Sequence, residues 1–110
     1  MTSRIRGIST AELIGLKNEI EAGNCLLMDV RERHESEPEH IPLSVLMPIS
    51  EVDRRWKELD PSRKIVLYCR SGSRSARVAQ FLASKGFSDI GILEGGLNRW
   101  ERDHGPVERK

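Results

Sequence analysis

The feature that most constrains this chain is a strand that runs without a break into a polar loop and then a helix. Ile65 to Tyr68 (IVLY) is β-branched and aromatic, as a buried strand requires. Cys69-Arg70-Ser71-Gly72-Ser73-Arg74 follows at once, and after it Val78, Ala79 and Leu82 share one helical face before Gly86 supplies a left-handed stop. A strand feeding directly into a helix in this way belongs to βαβ units, which build mostly parallel sheets covered by helices.

The rest of the chain repeats that alternation. Ser9-Thr10-Ala11-Glu12 is a capping box, and Leu13, Leu16 and Ile20 then mark an amphipathic helix that Gly23 ends. Cys25 to Val30 (CLLMDV) reads as a strand buried on both faces, with Asp29 and Arg31 at its carboxyl end. Residues 32–42, polar and holding Pro38 and Pro42, read as an extended loop before a short strand at Ser44 to Met47. Ser50 reads as the cap of a helix carrying Val52, Trp56 and Leu59, closed by Asp60-Pro61. A strand at Ile90 to Leu93 meets Gly95-Gly96, and a last helix with Leu97 and Trp100 leads into a polar tail. There is no repeat or linker, so 110 residues give one domain with one core.

Composition narrows the functional classes. With 37% hydrophobic and 32% charged residues the chain suits a globular domain, and no apolar run is long enough to span a bilayer. A net charge of +1 offers neither nucleic acid nor an anionic membrane the concentrated basic surface each needs. The start, MTSRIRGIST, has no apolar run behind its arginines, which points to the cytoplasm, where Cys25 and Cys69 stay free thiols.

In open α/β sheets ligands bind beyond the carboxyl ends of the strands, where Cys69 falls. A helix N-terminus offers unpaired N–H groups and a partial positive charge, so a thiolate there is stabilised. Cysteines in such settings titrate at roughly 3.5 to 7.5 instead of about 8.5. Arg70 and Arg74 add permanent charge, Gly72 permits a tight turn, and Ser71 and Ser73 add hydroxyls without bulk. Such a ring is an anion nest, able to hold the negative charge of a thiolate or a persulfide. No general base is visible, and a thiolate already formed needs none.

Other reactive residue types have plainer readings. Cys25 lacks such a loop and reads as a buried structural thiol. Trp56 and Trp100 sit at helical spacing with core residues. His34 and His40 flank the carboxylate-rich Glu35 to Glu39, but their spacing fits no compact metal motif. The run from Asp53 to Lys64 mixes charge signs as a solvated face does. Asp29 reads as an acceptor for a neighbouring backbone, and Arg31 either pairs with it or faces the anion.

Three segments match one family. Tyr68-Cys69-Arg70-Ser71-Gly72-Ser73-Arg74-Ser75 resembles the active-site loop of rhodanese-type sulfurtransferases, Cys-x-x-Gly-x-Arg before a helix. Asp29-Val30-Arg31 resembles the family's Asp-Val-Arg, and Leu93-Glu94-Gly95-Gly96 with Trp100 resembles its closing motif, so the likeness covers residues 7–103. It implies a five-stranded, mostly parallel sheet flanked by helices on both faces. Cys69 would be the catalytic cysteine that becomes persulfidated, with Arg70 to Arg74 binding the substrate.

The implied substrate is a small anionic sulfur donor such as thiosulfate, and the acceptor a thiol or cyanide, a thioredoxin-like protein thiol included; no cofactor or metal is implied. Related phosphatases and arsenate reductases carry one more residue between Cys and Arg, whereas four separate Cys69 from Arg74. A non-catalytic interaction module is the other alternative, usually marked by loss of the cysteine. The chain departs from the pattern around His40-Ile41-Pro42, where Glu39, Leu43 and Ser44 replace the family's frequent glycine and Gly-Ala; these positions bear on the rim of the pocket and on substrate choice.

Overall fold

The structure, a computed structural model, describes residues 5–110, so the first four residues of the chain's start lie outside it. Its main sheet holds five strands: β1 (Ile5–Ile8), β2 (Cys25–Asp29), β4 (Val45–Leu46), β5 (Lys64–Tyr68) and β6 (Ile90–Leu93). They lie in the order β1-β6-β5-β2-β4, with every pair parallel. A separate antiparallel pair joins β3 (Glu39–His40) to β7 (Glu108–Arg109). The parallel, doubly covered sheet is the architecture expected from the alternating pattern.

Alternation along the strands sorts the core into two layers. Met28, Ile65 and Leu67 face α4 (Ile49–Arg55) and α5 (Ser73–Ser84), packing with Val52, Val78, Ala79 and Leu82. Cys25, Leu27, Val66 and Tyr68 face the other way, onto α1 (Thr10–Gly15), α2 (Lys17–Glu21) and α6 (Gly96–Arg102) through Leu13, Ile20, Leu97 and Trp100. Each fully buried leucine or isoleucine contributes about 1.5–3 kcal/mol, so both layers clamp the sheet between them.

Several local expectations are refined. The capping box at Ser9 forms in both directions, Glu12 N–H to Ser9 Oγ and Ser9 N–H to Glu12 Oε1, each at 3.1 Å. The helix it starts breaks at Leu16 (φ −90°, ψ 1°) into α1 and α2. Pro48, not Ser50, holds the N-cap position of α4 and makes no side-chain bond there; Ser50 lies one residue inside the helix, where its N–H and hydroxyl both donate to the Glu32 carboxylate, at 3.3 and 2.8 Å. The extended loop expected over 32–42 instead holds a helical turn, α3 (Arg33–Ser36), with Glu32 and Glu35 forming a second reciprocal box, and then β3. The polar tail is likewise structured, as β7.

Trp100 is buried and its indole N–H donates to the Pro106 carbonyl at 2.7 Å. Trp56 is half-buried against Phe81, edge-on with ring centres 6.4 Å apart. His40 is placed between the Ser36 carbonyl, 3.0 Å from Nδ1, and Glu108, 3.3 Å from Nε2. Among the described residues no helix is long and apolar enough to cross a membrane.

Candidate active site

From β2 the chain moves to β4 on one side, and from β5 to β6 on the other. The crevice at their carboxyl ends is therefore the switch point where α/β sheets place ligands. Cys69 leaves β5 there, and Asp29 leaves β2 beside it, with Val30 N–H bonded to the Tyr68 carbonyl at 3.0 Å.

The loop closes on the sulfur. Gly72 precedes α5 at φ +120°, a backbone region that side chains disfavour, and this turns its N–H onto Cys69 Sγ at 3.1 Å. The Ser75 N–H and hydroxyl both lie 3.5 Å from the same sulfur. Burial pushes the Cys69 thiol up, but bonds from the Ser75 hydroxyl and the N–H groups of Ser75, Gly72 and Ser71 outweigh it and hold its pKa below the ordinary thiol value. Those bonds replace the arginines as the main cause of the lowering. The residue is 1% exposed, so a reactant must reach down into the loop. Cys25, by contrast, is pushed up by burial, and both thiols are free.

Neither arginine's guanidinium is spent on the sulfur. Arg74 grips Glu35 with two nitrogens, at 2.6 and 3.0 Å, and the pair draws the Glu35 carboxyl down to about 2. Arg70 reaches Glu39 at 3.2 Å and Glu101 at 3.5 Å. Ser71 and Ser73 turn their side chains to solvent.

Arg31 pairs with Asp29 and does not face the anion. Both side chains are wholly buried, with Nη2 2.8 Å from Oδ2, and Asp29 Oδ1 also accepts the Arg31 N–H at 2.9 Å. Two further guanidinium protons go to the carbonyls of Glu35 (3.2 Å) and Glu39 (2.8 Å). The buried pair thus fixes the segment whose two carboxylates hold Arg74 and Arg70.

Three further features complete the site. The departures from the family pattern have structural partners: Ser44 Oγ donates to the Ile41 carbonyl (2.7 Å) and meets the Tyr68 hydroxyl (3.0 Å), which accepts the Ile41 N–H (3.0 Å). Leu43, another of those departures, sits at φ +71°, a backbone region that favours glycine. On the other side, α6 meets the loop backbone, with Leu97 N–H on the Cys69 carbonyl (2.9 Å) and Asn98 N–H on that of Arg70 (3.0 Å). Gly96 allows this approach, since a Cβ there would lie 2.6 Å from the Cys69 oxygen.

Sequence reasoning missed Ser75 as a site residue. Its signal was a serine at i relative to Ala79 and Leu82 at i+4 and i+7, a polar residue on the apolar stripe of α5.

Residues 14–103 match the model of the rhodanese-like domain. The chain belongs to the rhodanese-like domain family. This rhodanese-like domain is 38% identical over 103 residues to YtwF of Bacillus subtilis, covering 93% of this chain and 96% of that one. It is 33% identical over 82 residues to a protein of Allochromatium vinosum named sulfurtransferase, covering 74% of this chain and 77% of the relative. The crystal structure of a rhodanese-related protein from Thermoplasma volcanium superposes with a TM-score of 0.83 at 32% identity, over 96% of this chain and 99% of that one.

Proposed function

We propose that this rhodanese-like domain is a sulfurtransferase that carries a sulfane sulfur on Cys69. The Cys69 thiolate attacks the outer sulfur of thiosulfate or of a persulfide donor, and a new S–S bond forms. The donor's own bond to that sulfur breaks, its electron pair leaving with sulfite or a thiolate. The persulfide then gives its outer sulfur to a thiol, that of a thioredoxin-like protein included, or to cyanide, and Cys69 leaves as the thiolate.

The observation that carries this reading is the set of donors on Sγ: Gly72 N–H at 3.1 Å, with the Ser75 N–H and hydroxyl at 3.5 Å. They favour the anion both before attack and after sulfur transfer, so the same loop serves both half-reactions. Arg70 and Arg74 flank the loop, and Arg70, held by longer contacts to Glu39 and Glu101, is the cation that an anionic donor could engage. A loop of four residues between Cys69 and Arg74 supports sulfur over a tetrahedral oxyanion.

Intact-mass spectrometry after incubation with thiosulfate tests it. The wild type should gain one sulfur atom and Cys69→Ser none. No gain on the wild type, or the same gain on Cys69→Ser, overturns the reading, as does turnover of p-nitrophenyl phosphate or arsenate faster than sulfur transfer.

A further inference from the structure

Arg70 and Arg74 flank one loop, yet they are held in opposite ways. The Arg74–Glu35 pair is short, bidentate and mostly covered, at 2.6 and 3.0 Å. Arg70 is more exposed, and its contacts are all long: 3.2 Å to Glu39, 3.4 Å to Asn98 and 3.5 Å to Glu101. Charge-assisted bonds at full strength measure about 2.7–2.9 Å, so Arg74 is a fixed strut and Arg70 a loosely moored arm. The Arg70 backbone cannot follow its side chain, because its carbonyl is bound by Asn98 N–H at 3.0 Å. Only the guanidinium is free to turn.

The mooring carboxylates do not depend on Arg70. The second oxygen of Glu39 takes Arg109 Nε at 3.3 Å, and the second oxygen of Glu101 takes Arg109 Nη2 at 3.1 Å. Arg109 is itself placed by β7, whose pairing with β3 is extended by Lys110 N–H on the Pro38 carbonyl at 2.8 Å. When Arg70 lets go, both carboxylates keep a cation. A donor with two negative charges at the mouth of the loop then competes well against two carboxylates that already share Arg109.

We propose that Arg70 is a swinging anion clamp, moored on Glu39 and Glu101 in the empty site and drawn off them by the incoming donor, with Arg109 setting how tightly they hold it. Glu39 and Glu101 are then positioning residues that set donor affinity through Arg70 alone. The inference rests on the sulfur-transfer reading above.

Steady-state kinetics with thiosulfate and cyanide test it. Glu39→Gln should lower the thiosulfate KM about two- to fivefold, the range set by one exposed ion pair, with the change in KM and not in kcat. Arg109→Gln should raise it by a similar factor, since the carboxylates then hold Arg70 more firmly. In an Arg70→Gln background, Glu39→Gln should no longer move KM. An equal fall in both backgrounds means that Glu39 acts by bulk charge and overturns the clamp, as does an unchanged KM in Glu39→Gln. Glu101→Gln makes the same test if Glu39→Gln folds poorly. A wild type that takes up no sulfur overturns the sulfurtransferase reading itself, whereas uptake with no Glu39 effect removes only the clamp.

Discussion

Ser75 meets the sulfur of Cys69 twice, through its hydroxyl and through its backbone N–H, each at 3.5 Å. Its hydroxyl also lies 3.0 Å from the Gly72 carbonyl, where it donates. One proton therefore serves two acceptors. With a thiol, the S–H donates to Oγ and the hydroxyl to Gly72; with a thiolate, the hydroxyl turns to the sulfur.

Ser75→Ala removes that adaptable donor while leaving the backbone N–H bonds in place. The Cys69 thiol then titrates higher, and its alkylation by iodoacetamide at pH 7 slows by about tenfold, the low end of what losing one hydrogen bond to a charged group costs. In the wild type, Cys25 should stay unlabelled under the same conditions, because burial pushes its thiol the other way. Equal labelling rates in Ser75→Ala and wild type would sink the idea.

The Glu35–Arg74 strut makes stability depend on acid. The Glu35 carboxyl titrates at about 2 in the folded chain and near its ordinary value of roughly 4 when unfolded. The unfolded state thus takes up the proton first as pH falls. The strut's contribution is complete above the ordinary value and is lost as pH drops through that window towards 2. Glu35→Gln should cost about 1–2 kcal/mol in urea unfolding at pH 7, and the gap to wild type should close on acidification. A gap that persists at pH 2 would show that the carboxylate charge is not what matters.

Arg31 is wholly buried with its charge matched by Asp29, so removing one partner leaves the other unpaired. Asp29→Ala should destabilise the chain by about 3–5 kcal/mol. Arg31→Lys should slow persulfide formation, since one ammonium cannot bridge a carboxylate and the carbonyls of Glu35 and Glu39 together. Full persulfide formation by Arg31→Lys at wild-type rates would contradict the role given to this pair.

Leu43 holds a left-handed backbone at φ +71° while its side chain stays 46% exposed. The position therefore carries strain with little burial in return. Leu43→Gly should raise stability by roughly 0.5–1 kcal/mol, measured as a later urea midpoint. A lower midpoint would mean that the leucine packs more than its exposure implies.

What could be read from the sequence was what is local. The strand, loop and helix from Ile65 to Gly86 lie within one stretch, and hydrophobic period, Gly72 and Gly86 each mark it. β1 was harder, because Arg6 and Gly7 between two isoleucines give a pattern too short to stand out, and only pairing with β6 makes it a strand. The turn at Arg33–Ser36 is capped by Glu32, a residue outside the usual Ser or Thr pattern, so the segment resembled a loop. The ties of Arg74 to Glu35 and of Arg70 to Glu39 span 39 and 31 residues, and no short-range pattern announces them. Asp29 and Arg31 were visible as a pair, yet which of two directions Arg31 takes depends on carbonyls that only the fold brings near.

The bonds from α6 to Cys69 and Arg70 divide the loop into two unequal halves. Its first two residues are riveted to another helix through their carbonyls, at a joint so close that only glycine fits at position 96. Any insertion that enlarges the bowl must therefore fall among Ser71, Gly72 and Ser73. A lineage or a designer seeking to refit this scaffold for a bulkier, tetrahedral ligand has three positions in which to do so, and each lies in the loop over Cys69, whose own place does not change.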